Sequence, residues 1–184
     1  MILMPVMVML FYFGFYISAA AVFLIAAFTD MLDGRIARKR GLVTTFGKFV
    51  DPLADKLINL AAIILIAVHI SKNGSVLYGV FATVTALVIV SREVIITSFR
   101  ALAASEGTVI AADKLGKIKT VFQDIAIVAL FLDASLISNI PFAGELLHWT
   151  GAAMLAAALV LTILSGINYF AANKELVSKI KEDI

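Results

Sequence analysis

Residues 30–55 read DMLDGRIARKRGLVTTFGKFVDPLAD, which sets four carboxylates, Asp30, Asp33, Asp51 and Asp55, inside an otherwise strongly apolar chain. Residues three or four apart share a helix face, so Asp30 points with Asp33 and Asp51 with Asp55. Gly34 and Ala37 lie on the first face and Gly47 on the second, and small residues beside acids let a ligand approach the backbone. Ionisable groups at membrane depth are costly, and four like charges repel unless something positive compensates them. In a chain without cysteine, such an oxygen donor set suits one or two hard divalent cations, Mg2+ or Mn2+. Asp30, Asp33 and Asp51 are the expected primary ligands. Asp55 either completes the shell of a second cation or acts as a base, in the manner of phosphate chemistry at paired metals.

The surroundings of this segment are lipid-like. Of 184 residues, 62% are hydrophobic, and a mean hydropathy of +1.04 exceeds any soluble average. About 20 apolar residues are needed to cross the hydrocarbon layer, and such stretches fall near 16–36, 47–70, 76–99, 114–133 and 148–172. Residues 1–13 make a further half-span, with Gly14 as a turn before the next. Short polar turns are expected at Ser71–Gly74 and at Ser138–Gly144, which carries Pro141. Fourteen of the fifteen Lys and Arg residues lie on the motif side and only Lys72 lies opposite, which puts the motif in the cytoplasm. Tyr78, His148 and Trp149 then fall at the outer interface, where His69 and His148 are expected to make interfacial hydrogen bonds. A net charge of +2 with interleaved bases gives no reason to expect nucleic acid, and zero cysteines exclude disulfides.

A second polar segment, SREVIITSFRALAASEGTVIAADKLGKIKT, carries Arg92, Arg100, Lys114, Lys117 and Lys119. Arg grips phosphate through two bonds and Lys supplies a point charge, so Arg92, Arg100, Lys117 and Lys119 are candidates to hold a phosphate-bearing alcohol. Arg35, Lys39 and Arg40 read instead as anchors to lipid headgroups, and Asp124 as a structural acid within its span.

The first segment fits the pattern DxxDGxxARx8GxxxDxxxD at every fixed position, from Asp30, Asp33, Gly34, Ala37 and Arg38 to Gly47, Asp51 and Asp55. It resembles the CDP-alcohol phosphotransferases. The resemblance implies an all-α integral membrane protein, a six-transmembrane-helix bundle, whose first helix here starts partway because related sequences begin with an amphipathic segment and an arginine. It implies a transmembrane domain over 1–172, a cytoplasmic tail over 173–184, and a homodimer. It also implies two bound Mg2+ or Mn2+ ions, Asp55 as catalytic base, and a CDP-lipid site formed by Asp33, Gly34, Ala37, Arg38, Gly47 and Lys48. The second segment, with LTILSGINYF near the C-terminus, is similar to the branch that makes phosphatidylglycerophosphate. CDP-diacylglycerol and sn-glycerol 3-phosphate are therefore the expected substrates, with membrane lipids as surroundings. Three rivals stand beside this reading: a branch that uses inositol phosphate, serine or a cardiolipin-forming acceptor, a membrane prenyltransferase, and a divalent-cation transporter. The last leaves Gly34, Ala37 and Arg38 unexplained.

Overall fold

The computed structural model describes residues 3–40, 45–105, 114–135 and 140–174, with backbone alone at 30–40, 45–55, 105, 114 and 141. Among these residues all regular structure is helical. The six helices are α1 (Leu3–Tyr12), α2 (Tyr16–Arg40), α3 (Thr45–Asn73), α4 (Val76–Ser105), α5 (Lys114–Asp133) and α6 (Pro141–Ala172). Each apolar stretch expected from the sequence lies on one of them. Lys56–Asn73, Val76–Ala104 and Phe142–Ala172 are long and apolar enough to cross a bilayer, whereas Leu3–Tyr12 and Tyr16–Thr29 are apolar but shorter. The protein is thus an all-helical integral membrane protein.

Gly14 makes the expected turn by adopting φ +81°. Phe15 N–H donates to Leu10 C=O at 2.9 Å and Gly14 N–H to Phe11 C=O at 3.1 Å, the paired bonds of a Schellman cap. A left-handed residue at that position favours glycine, which has no Cβ to clash. Two other expected turns are shorter than the sequence suggested. Ser71, Lys72 and Asn73 continue α3, leaving only Gly74 and Ser75 between it and α4. Asn73 Nδ2 bonds back to His69 C=O at 3.0 Å and Ser71 Oγ bonds across to Gly79 C=O of α4 at 3.4 Å, so polarity there does not end the helix. Likewise α6 begins at Pro141, inside the expected loop, because proline's fixed φ and missing N–H cost nothing in a first helical turn.

Helix pairs α5–α6, α3–α4 and α1–α2 pack most extensively, with α4–α6 and α2–α5 closing the bundle. The core is built from Met7, Phe23, Ile63, Ile89, Ile127, Phe131 and Leu155, while Ala19, Ala62, Ala126 and Ala158 let backbones approach. Such small-residue contacts are how helices associate where lipid is as apolar as the side chains. Among the small residues of these helices, Ala19 and Ala158 are buried, but Ser18 and Ala21 face outward. Large side chains such as Phe28, Leu87, Val160 and Ile167 are exposed, as a lipid-facing surface requires. At the end expected to lie outside, His148 and Asp133 pair at 3.0 Å, joining α6 to α5, and Tyr78 packs edge-on to His148.

A Cβ on Gly151 would meet Leu130 Cγ and Cδ2 at 2.6 Å, so α5 and α6 touch there through the missing side chain. Gly151→Val should therefore destabilise the bundle by about 1–3 kcal/mol through overpacking. The check is a lower midpoint of thermal unfolding in detergent.

Candidate functional site

The four aspartates sit on continuous helical backbone, Asp30 and Asp33 on α2, Asp51 and Asp55 on α3, with residues 41–44 between the two helices. The i, i+3 and i, i+4 spacing therefore acts on real helices. Their side chains, and those of Gly34, Ala37, Arg38, Gly47 and Lys48, lie outside the described residues. Among the residues described, no three of His, Asp and Glu come together as metal ligands.

Directly after Asp55, the described side chains resume with Lys56, which enters a cluster of charges drawn from three helices and tied by a hydrogen bond to a fourth. Glu93 on α4 is its hub. Glu93 Oε1 accepts from Lys119 Nζ of α5 at 2.7 Å and from Arg92 Nη1 at 2.9 Å. Glu93 Oε2 lies 3.2 Å from Lys56 Nζ of α3, which also donates to Thr97 Oγ1. Arg92 Nη2 donates to Ser165 Oγ of α6 at 3.1 Å, and Ser165 in turn donates to Thr162 C=O at 3.1 Å. The guanidinium passes close to Gly116 on α5, where a Cβ would stand 3.4 Å from Nη2. The side chains are 3% exposed for Lys119, 12% for Glu93, 14% for Arg92 and 26% for Lys56.

Three cations around one carboxylate leave an excess of two positive charges among these groups. Two unit charges about 5 Å apart repel by roughly 3 kcal/mol at an effective dielectric constant near 20, and removal from water adds a desolvation cost for each ion. Among the described residues, moreover, Arg92 Nε is buried with no acceptor. Cations and a free N–H donor gathered in this way have the chemistry to hold an oxyanion.

Of the four cations expected to hold a phosphate, Arg92 and Lys119 are thus brought onto one carboxylate. Lys117 and Lys119, two residues apart, project about 200° apart around α5, so Lys119 is buried and Lys117 exposed. Arg100 is exposed two turns beyond Arg92, near the rings of Phe99, Tyr169 and Phe170, which pack on one another. Sequence reasoning missed Lys56, Glu93 and Ser165 as members of the cluster. The one local signal was Glu93 beside Arg92 in an apolar helix, an acid and a base together where either alone is costly.

A helical membrane bundle that joins a paired-aspartate segment to a buried cation cluster defines a class that handles phosphates at a bilayer. The chain belongs to the CDP-alcohol phosphatidyltransferase family, whose model matches residues 1–164. It is 42% identical over 161 residues to a CDP-diacylglycerol--glycerol-3-phosphate 3-phosphatidyltransferase of Bacillus subtilis (strain 168), covering 87% of this chain and 75% of that one. It is 33% identical to the enzyme of the same name from Rickettsia typhi (strain ATCC VR-144 / Wilmington), covering 92% and 89% of the two chains. A probable phosphatidylglycerophosphate synthase of Mycobacterium tuberculosis (strain ATCC 25618 / H37Rv) is 37% identical, covering 93% and 76%.

Arg92→Lys keeps the charge but cannot reach Glu93 and Ser165 together, so it should behave as a disruptive change. Losing the buried contact to Ser165 should cost about 1–3 kcal/mol. Thermal unfolding of the purified variant checks this, and Ser165→Ala should reproduce part of the loss.

Proposed function

We propose that the protein transfers the phosphatidyl group of CDP-diacylglycerol to the primary hydroxyl of sn-glycerol 3-phosphate, releasing CMP and forming phosphatidylglycerophosphate. The observation that carries this reading is the similarity, over nearly nine-tenths of the chain or more, to relatives named for that transfer. The buried cluster around Glu93 supports it, because a phosphate monoester carries about −1.5 to −2 at pH 7, matching the cluster's excess.

In this reading the bundle is a six-span homodimer with the motif side in the cytoplasm. Asp30, Asp33, Asp51 and Asp55 would hold Mg2+ or Mn2+, since four carboxylates without a thiol are a hard-ion donor set. When bound, divalent cations supply charge neutralisation to the diphosphate of the CDP-lipid. Arg38 and Lys48 hold the nucleotide's phosphates, and Gly34, Ala37 and Gly47 leave room for the nucleotide beside the backbone. Arg92 and Lys119 hold the acceptor phosphate, while the exposed Arg100 and Lys117 raise the local concentration of anions. Asp55 takes the proton of the acceptor's primary hydroxyl as that oxygen bonds to the lipid-side phosphorus. The bond from that phosphorus to the bridging oxygen breaks, and CMP leaves with the electron pair.

Offered CDP-diacylglycerol with glycerol 3-phosphate, inositol phosphate, serine or phosphatidylglycerol in parallel, the purified protein should make phosphatidylglycerophosphate and release CMP only with the first. A different product identified by chromatography would move the chain to another branch of the family, and chelation of divalent cations should stop CMP release. Asp55→Asn should lower kcat by about 10²–10⁴-fold while CDP-lipid binding stays measurable. Near-normal turnover in that variant removes Asp55 as the base.

A further inference from the structure

We propose that Glu93 is a positioning residue for the acceptor, gathering Lys56, Arg92 and Lys119 from three helices into one anion cradle and fixing that cradle against Asp55. The inference rests on the acceptor reading above and adds a role for a residue that touches neither substrate. Both carboxylate oxygens are engaged, Oε1 by Lys119 and Arg92 and Oε2 by Lys56, so the three cations share one fixed centre. Without that centre they repel one another and scatter.

The composition of the cluster argues for more than a structural role. Buried ion clusters are no more stabilising than well-packed apolar residues of the same volume, and a cluster kept for stability would balance its charges. Among the described residues three cations meet one acid, and Arg92 Nε is buried with no acceptor. The surplus is a cost that an arriving dianion removes. Lys56 is also the residue after Asp55 on the same helix, about 1.5 Å further along its axis. Holding Lys56 therefore sets the register of α3, and with it the backbone carrying Asp55, against the cradle on α4 and α5.

Steady-state kinetics on the full chain in nanodiscs tests this, with both substrates varied. Glu93→Gln should raise KM for sn-glycerol 3-phosphate by about tenfold or more while KM for CDP-diacylglycerol stays within about twofold. Inhibition by inorganic phosphate should weaken in parallel, and Glu93→Asp should restore part of the loss. A structural role alone would lower the active fraction and leave the two KM values in their original ratio, which would overturn the proposal. Lys119→Ala separates the two layers. If it raises KM for glycerol phosphate and Glu93→Gln does not, only the positioning role falls; if neither variant moves it, the acceptor site itself is wrong. Should Glu93→Gln fail to fold, Glu93→Asp decides: a selective rise in KM for glycerol phosphate sustains the proposal, and unchanged kinetics overturn it.

Discussion

A charge taken out of water must find a partner, and in this bundle one carboxylate meets that demand for three cations at once. Glu93 binds Lys56 of α3, its own neighbour Arg92, and Lys119 of α5, and Arg92 carries the connection on to Ser165 of α6. Apolar packing between membrane helices is non-directional and nearly matched by packing against lipid. The directional bonds at Glu93 therefore specify how four helices sit in register at one end. Small residues permit the close approach, with Ala62, Ala126 and Ala158 buried in the bundle and Gly116 leaving space for the guanidinium.

Under the proposed function, the chemistry draws on the same imbalance. A membrane enzyme that joins a soluble anion to a lipid must draw that anion to the bilayer and strip its water without letting it bind too tightly. Three fixed cations supply the attraction. One fixed anion keeps their number in proportion to a dianionic guest, and exposed Arg100 and Lys117 extend the positive field outward. The aspartates of α2 and α3 lie next along the chain, and under the proposed function opposite charges would divide the work of gripping a metal-bound diphosphate and a free phosphate.

Much of this was legible in the order of residues. Apolar runs of span length located every helix, and the half-span ending at Gly14 was readable because only a glycine turn separates α1 from α2. The errors at Ser71–Asn73 and Pro141 share a cause: polar side chains and proline are poor guides to helix ends when they bond to their own backbone or occupy a first turn. Arg92 and Lys119 could be placed at one depth from span lengths. Their common partner could not, since Lys56, Glu93, Lys119 and Ser165 come from four separate helices and no local spacing rule links them. The exposed side of Lys117 follows only once α5 has packed against α6.

The aromatic knot at the far end has a bearing on electrical insulation. Phe11 packs at a tilt on Phe131 at 4.8 Å between centroids and meets Tyr16 and His69 edge-on, and Phe23, Ile63, Ile127 and Leu155 are buried in the interior of the bundle. From Lys56 to His69 is about 20 Å of helix. Among the described residues these apolar side chains form a layer between the two ends. Such a layer disfavours the passage of ions, since a charge is costly away from water.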